Sequence, residues 1–291
     1  MALYRLQEVS FEKNPKRFDV RAMYAIEKGD AEVAIIGASD ASHHYISQEI
    51  EDSLQMSVFN YGKDGCFFIY QNCLINMMLQ KHLPKVIIWE VGKDCLRRVK
   101  GNDAREWQSI HDFYHYYDKN GYCRKVIDSR SKLQRICMLS CLYRYNSMLL
   151  SIIKPFISEE GVTDTKGYVP LPDEGYTYPV FIESKGGNGE VDEVKETLLK
   201  ETLALCKSKG VKVVFCYSPR FARDLSEQTR YYERLATIAV DNSVGMIDYR
   251  NYGEFLKDST LFKDERHLND KGAHLYMSYF IPDLKRILNI Q

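Results

Sequence analysis

Val33-Ala34-Ile35-Ile36-Gly37-Ala38-Ser39-Asp40 sets the reading of this 291-residue chain. A short apolar run, mostly β-branched and closed by a glycine, reads as a strand covered on both faces. The next segment, Ser42 to Leu54, carries Ile46, Ile50 and Leu54 at helical spacing. Met56 to Asn60 reads as a second strand, ending in Tyr61-Gly62-Lys63-Asp64-Gly65. Phe67 to Leu83 is a strongly apolar helix, and Pro84 separates it from Lys85-Val86-Ile87-Ile88-Trp89-Glu90-Val91, the clearest strand in the chain. The order β-α-β-α-β implies a parallel sheet with helices on its faces.

Toward the N-terminus, residues 1–30 are polar and mixed, a lead-in with one short helix around Arg17 to Glu27. Toward the C-terminus the alternation resumes: a helix from Val191 to Ser208 closed by Gly210, a strand from Val211 to Tyr217, a helix from Glu227 to Asn242 and a strand from Val244 to Asp248. Leu268 to Leu288 reads as the final helix, broken near Pro282. Between Leu96 and Lys185 the pattern fails. Residues 97–160 look helical, with an apolar run from Ile136 to Ile157, and Gly161 to Gly189 reads as long loops. The expectation is one domain over residues 1–291: three layers, α/β/α, around a parallel sheet of about five strands in flavodoxin-like order. A helical and loop cap is inserted at residues 97–187. It would sit beside the carboxyl ends of the strands, where open α/β sheets bind ligands. A plain helical subdomain or an oligomer contact is the alternative use of that segment.

Forty basic and forty acidic residues cancel, which argues against nucleic acid or another polyanion as partner. No run approaches the ~18 apolar residues of a membrane span. The start, Met1-Ala2-Leu3-Tyr4-Arg5-Leu6-Gln7, lacks the apolar core of a signal peptide, so the sequence by itself reads as cytoplasmic. A removed leader or anchor would leave the same picture, and the cell envelope stays open. Eight cysteines without a CxxC pair read as reduced structural thiols; Cys66, Cys73, Cys95, Cys137, Cys141 and Cys206 lie in apolar surroundings.

The chemistry is read from both ends of the chain. Ser39 stands where a strand turns into a helix, where free N–H groups and the helix dipole favour developing negative charge. Asp264 and His267, in Asp264-Glu265-Arg266-His267-Leu268-Asn269-Asp270-Lys271-Gly272-Ala273, lie just before the last helix. An aspartate that orients an imidazole leaves the far nitrogen free to take a proton from a hydroxyl. Gly65 would let the backbone approach a substrate and offer an N–H. Taken singly, Ser39 or Asp40 reads as an N-cap, Gly65 as a turn glycine and Asp264 as a capping residue.

Together these blocks resemble the SGNH (GDSL-type) hydrolase superfamily over most of the chain outside the insertion. Ile36-Gly37-Ala38-Ser39 is similar to the family's first block, with Ala38 where its Asp usually stands. Phe59-Asn60-Tyr61-Gly62-Lys63-Asp64-Gly65 looks like the second block, Ile88-Trp89-Glu90-Val91-Gly92-Lys93-Asp94 falls at the third, and Asp264-x-x-His267 matches the last. The continuation Leu268-Asn269-x-x-Gly272-Ala273 is similar to members acting on acyl groups of bacterial envelope polysaccharides. The resemblance implies a serine esterase with Ser39 as nucleophile, His267 as base and Asp264 as its orienting acid. The oxyanion hole would be built from the N–H groups of Ser39 and Gly65. The implied substrate is a small-molecule or carbohydrate O-acyl ester, such as an O-acetyl ester, with no cofactor and no metal. O-acetyl transfer by the same residues, or a non-catalytic carbohydrate-binding or assembly protein on the same fold, are the alternatives.

One departure matters. The third block of the family supplies an Asn to the oxyanion hole, and here Asp94 takes that position. Ionised, it only accepts hydrogen bonds and would repel an oxyanion. Lys93 is the other residue offered there. Elsewhere, His43 and His44 follow Ser39 by one helical turn and would line the pocket rim; as a metal pair they are poor, because neighbours on a helix point apart. His111 and His115 have the i, i+4 spacing of metal ligands without an HExxH motif. His274 reads as partly buried. Phe113-Tyr114-His115-Tyr116-Tyr117, with Tyr176 and Tyr178, would stack on sugar rings or serve as lid packing.

Overall fold

The computed structural model describes residues 2–290 other than 93, 99–103, 147, 158–164, 175–178, 180, 183–189 and 224–229. The strands in it are β1 (Val33–Ile36), β2 (Val58–Asn60), β3 (Val86–Glu90), β4 (Phe181–Ile182), β5 (Lys212–Tyr217), β6 (Ala222–Arg223) and β7 (Gly245–Asp248). Five form one sheet in the order β2-β1-β3-β5-β7, and every pairing in it is parallel. This is the flavodoxin-like order expected from the alternation of elements. β4 and β6 pair as a separate two-residue ladder.

Helices α1 (Ala2–Lys13) and α2 (Arg21–Glu27) precede the sheet; α3 (Ser39–His44) and α4 (Ser47–Leu54) follow β1, and α5 (Phe68–Met78) follows β2. After β3 come four short helices: α6 (Gly121–Ser129), α7 (Lys132–Cys137), α8 (Cys141–Asn146) and α9 (Leu149–Ile157). The chain returns with α10 (Glu193–Ser208), α11 (Arg230–Asp241), α12 (Gly253–Lys257) and α13 (Asp270–Leu288).

Alternation along the strands separates two cores. Ala34, Ile36, Ile87, Trp89, Val213 and Phe215 face α2, α5, α10 and α11. Val33, Ile35, Val86, Ile88, Val214 and Cys216 face α3, α4, α12 and α13. Side chains of a strand point alternately to its two faces, so continuous apolar runs need cover on both sides. Every residue of α5 is buried, as expected for a helix packed all round. Its polar members find partners: Asn72 Nδ2 donates to Thr202 Oγ1 at 2.8 Å, and Trp89 Nε1 of β3 donates to Gln71 Oε1 at 2.8 Å.

Some details differ from the sequence reading. The lead-in holds a full helix, α1, whose buried partner is α9 far along the chain. The segment expected as one helix from Ser42 to Leu54 splits at Tyr45 and Ile46, which are extended. The break turns Tyr45 into the core, and Asn60 Nδ2 donates to the freed carbonyls of Ala41 and Tyr45 at 2.7 and 3.1 Å. Pro282 does not break α13. It lies on the exposed side, where a carbonyl left without its helical donor can turn to water. All eight cysteines are free thiols; Cys137 is half-buried and Cys141 exposed, against the core positions expected of them. Among the described residues no helix is long and apolar enough to cross a membrane.

Candidate active site

Ser39 is the first residue of α3, and Ala38 occupies the N-cap position without a side-chain cap. Neither Ser39 nor Asp40 therefore spends its side chain on capping. Close packing sets this turn: a Cβ on Gly37 would stand 2.5 Å from Ala41 Cβ and 2.8 Å from Glu90 Cβ. Only glycine lets α3 begin so near the end of β3.

The segment between β7 and α13 brings the imidazole to that helix. Asp264 Oδ1 accepts the backbone N–H groups of Arg266 and His267 at 2.8 and 2.9 Å, folding the four residues into a tight loop. Asp264 Oδ2 lies 2.9 Å from His267 Nδ1, and His267 Nε2 lies 2.8 Å from Ser39 Oγ. With Nδ1–H donating to the carboxylate, Nε2 is left to accept the serine hydroxyl. Phe262 and Leu268, both fully buried, anchor the loop on either side, and Leu268 N–H donates to His44 Nε2 at 2.9 Å.

Charge around this contact is arranged in one sense. Burial opposes the imidazolium of His267, but its bond to Asp264 and the carboxylates of Asp40, Asp264 and Asp64 together raise its pKa above the ordinary histidine value. Burial likewise opposes ionisation of Asp264, and the donors from His267 and Arg266 overcome it and hold the acid well below the usual carboxylate range. Asp40, one residue past Ser39, is buried yet held at about 2, because Arg220, His44 and His267 outweigh its desolvation. Arg220 Nη2 donates to Asp40 Oδ2 at 2.6 Å. The sequence reading passed over Arg220; its position just past the end of β5 was the available signal.

Beneath the site lies a buried polar chain. His44 Nδ1–H donates to Ser218 Oγ at 2.7 Å, Ser218 Oγ donates to Glu90 Oε1 at 3.1 Å, and the Tyr45 hydroxyl donates to Glu90 Oε2. Burial, with Asp40 nearby, pushes the Glu90 carboxyl up to about 8, and burial brings His44 down to about 3. His43 and His44 are thus packed under His267 rather than on a rim.

A cavity of about 360 Å³ opens over these residues at the carboxyl ends of the strands. Gly65 and Asp94 line it with Ser39 and His267. Gly65 has φ +68°, and the Gln108 side-chain amide packs on it so closely that a Cβ would fall 2.4 Å from Nε2. Gln108 was not singled out from the sequence; an exposed glutamine in an irregular stretch carries no signal. Asp94 Oδ2 accepts from Arg97 Nη1 at 3.3 Å, and its Oδ1 is buried without a hydrogen-bond partner among the described residues. Lys93, Tyr176 and Tyr178 lie outside the described residues.

Other candidates separate from the site. Phe113, Tyr114, Tyr116 and Tyr117 are buried, which corrects the reading of them as a sugar-stacking surface. His115 is buried against Tyr116 and Tyr145, whereas His111 is partly exposed beside Asp112. His274 is exposed, against expectation, and pairs with Glu49. No three His, Cys, Asp or Glu side chains among the described residues form a group that could hold a metal ion.

No family model matches the chain, and no curated protein matches it in sequence. Among solved structures it is similar to a protein assigned to the G-D-S-L lipolytic family from Desulfitobacterium hafniense DCB-2, at 10% identity and TM-score 0.43, covering 86% of this chain and 97% of that one. It is also similar to a protein assigned as an acylhydrolase from Bacteroides fragilis NCTC 9343, at 11% identity and TM-score 0.41, covering 94% and 97%. A gut microbial diltiazem-metabolizing enzyme shares 12% identity at TM-score 0.42, covering 89% of this chain and 47% of that one. At TM-scores below 0.5, the reading of the site rests on its own geometry.

Proposed function

We propose that this chain is a serine esterase that hydrolyses an O-acyl ester. The observation that carries the reading is the chain of contacts from Ser39 Oγ to His267 Nε2 and from His267 Nδ1 to Asp264, lying at the mouth of a cavity at the carboxyl ends of the strands. Ser39 Oγ attacks the ester carbonyl while His267 Nε2 takes its proton, and Asp264 stabilises the imidazolium. The N–H groups of Ser39 and Gly65 donate to the oxyanion. His267 returns the proton to the departing alcohol, then takes one from water as it attacks the acyl-serine. The acid leaves and Ser39 is restored.

Asp94 offers no donor to that oxyanion when ionised. Gln108, whose amide lies against Gly65, is the neighbouring side chain able to supply one. On this reading the segment inserted at residues 97–187 caps the cleft, as Arg97 and Glu106 also line it. An acetyl group on a carbohydrate is the proposed substrate, following the Leu268-Asn269-x-x-Gly272-Ala273 resemblance. O-acetyl transfer to a sugar hydroxyl would use the same three residues, with the sugar in place of water.

Hydrolysis of p-nitrophenyl acetate by the native chain and by Ser39→Ala tests the proposal. The expected result is a loss of about a thousandfold or more in kcat in the variant. Equal rates from the two proteins would remove the serine-esterase reading. Labelling by a fluorophosphonate should go to Ser39 and be lost in His267→Ala.

A further inference from the structure

The helices α7, α8 and α9 carry apolar side chains on the side that their own packing does not use. Inside, Tyr145, Met148 and Ile152 form a small buried cluster; Ser10 Oγ of α1 donates to the Ser151 carbonyl of α9 at 3.5 Å, and Gln7 Nε2 donates to Met148 Sδ just before it at 3.9 Å. Outside, Leu133 is 68% exposed, Ile136 63%, Leu139 77%, Leu142 75%, Leu150 84% and Ile157 78%. Leu150, Ile153 and Ile157 fall at i, i+3 and i+7, so they line one stripe of α9. Single exposed leucines are ordinary, but a run of consecutive helices with apolar outer faces marks a docking surface.

Charge identifies the occupant. Residues 121–157 hold Arg124, Lys125, Arg130, Lys132, Arg135, Arg144 and Lys154 against Asp128; Asp118, which pairs with Arg124 and Arg144, and Glu201, which pairs with Lys125, bring the acids there to three against these seven cations, whereas the chain as a whole has 40 basic and 40 acidic residues. Leucine and isoleucine on short helices flanked by lysine and arginine match the boundary between acyl chains and anionic headgroups. A second copy docked face to face would bring two sets of the same positive charges together.

We propose that the outer faces of α7, α8 and α9 dock on an anionic lipid bilayer. This stands independently of the esterase reading. The test is flotation of the full chain with vesicles of phosphatidylcholine alone and of phosphatidylcholine mixed with phosphatidylglycerol. It is run with the native protein, Leu139→Glu/Leu150→Glu and Lys132→Glu/Arg135→Glu. The expected result is at least about tenfold more native protein on the anionic vesicles than on the neutral ones, with less binding in higher salt. Each double variant should lose about tenfold, with an unchanged circular dichroism spectrum and melting temperature. Native protein that stays off both kinds of vesicle would overturn the proposal, as would binding that the variants do not reduce. A native dimer in light scattering that Leu139→Glu/Leu150→Glu turns into a monomer would assign the face to a second copy instead, and overturn it too.

Discussion

His44 Nε2 accepts the backbone N–H of Leu268 at 2.9 Å, so the helix that carries Ser39 is bonded directly to the residue after His267. The two halves of the proposed acid–base pair are held together from below by a histidine with no role in the chemistry. His44→Ala leaves the Leu268 N–H unpaired in the interior and takes from the Ser218 hydroxyl the donor it accepts, leaving it only its bond to Glu90. It should cost about 1–3 kcal/mol of stability in urea unfolding. The drop in kcat should exceed the change in KM, because the loop holding His267 is loosened while the cavity lining stays.

The pH dependence of kcat/KM should show an acid limb set by His267. Its neutral form is the base, so activity rises as pH rises through its pKa, and that midpoint lies above the ordinary value of 6.5. Asp264→Asn removes one of the carboxylates that raise it, and should move the limb to lower pH. The same variant should lose about a thousand- to ten-thousandfold in kcat, since the imidazole is no longer held in one tautomer. A limb that stays in place would detach Asp264 from the proton transfer.

Glu90 predicts a loss of stability on the alkaline side. Its carboxyl titrates at about 8 in the fold against 4.5 ordinarily, so between those values the folded chain binds more protons than the unfolded one. Stability from this group is fully present below about pH 4.5 and falls as pH rises toward about 8. Glu90→Gln cannot ionise. Its unfolding midpoint, relative to the native chain, should therefore improve from pH 5 to pH 8.

Gly65 and Gln108 can be separated by substitution. Gly65→Ala places a side chain at φ +68° and displaces the Gln108 amide, costing about 1–2 kcal/mol of stability together with part of the activity. Gln108→Ala removes an exposed side chain and should leave stability within about 0.5 kcal/mol. If its amide serves the oxyanion, kcat falls by about a hundredfold with KM little changed.

Asp94→Asn is expected to act in the opposite direction. It replaces an acceptor at the third block with an amide that can donate, and should raise kcat by about tenfold or more on p-nitrophenyl acetate. A slower variant would mean that the carboxylate, with Arg97, holds the cleft in shape.

The readable parts of the fold were those where a single property sufficed. Val33–Ile36 was bounded correctly because its residues are apolar without interruption and Gly37 ends them; β3 and β5 were placed for the same reason. What escaped depended on partners distant in sequence. The buried Gln7 and Ser10 of α1 make sense only against Met148 and Ser151, and Tyr45 leaves the helix for Glu90, 45 residues on. Asp40 looked like a cap because nothing nearby announces Arg220. Ser39, Asp264 and His267, the proposed triad, stand at a strand end and helix starts, where the sequence pattern points to such chemistry, whereas Gln108 reaches Gly65 from a stretch without periodicity.

The meeting of Ser39 and His267 spans 228 residues, which sets an order in time. On the ribosome the hydroxyl is made early and remains an ordinary alcohol, because its proton acceptor is still unwritten. On the proposed function, the serine acquires its base only after α13 has been synthesised and laid against α3 and α4. On that reading, a chain released before α13 is laid down would be chemically silent at Ser39.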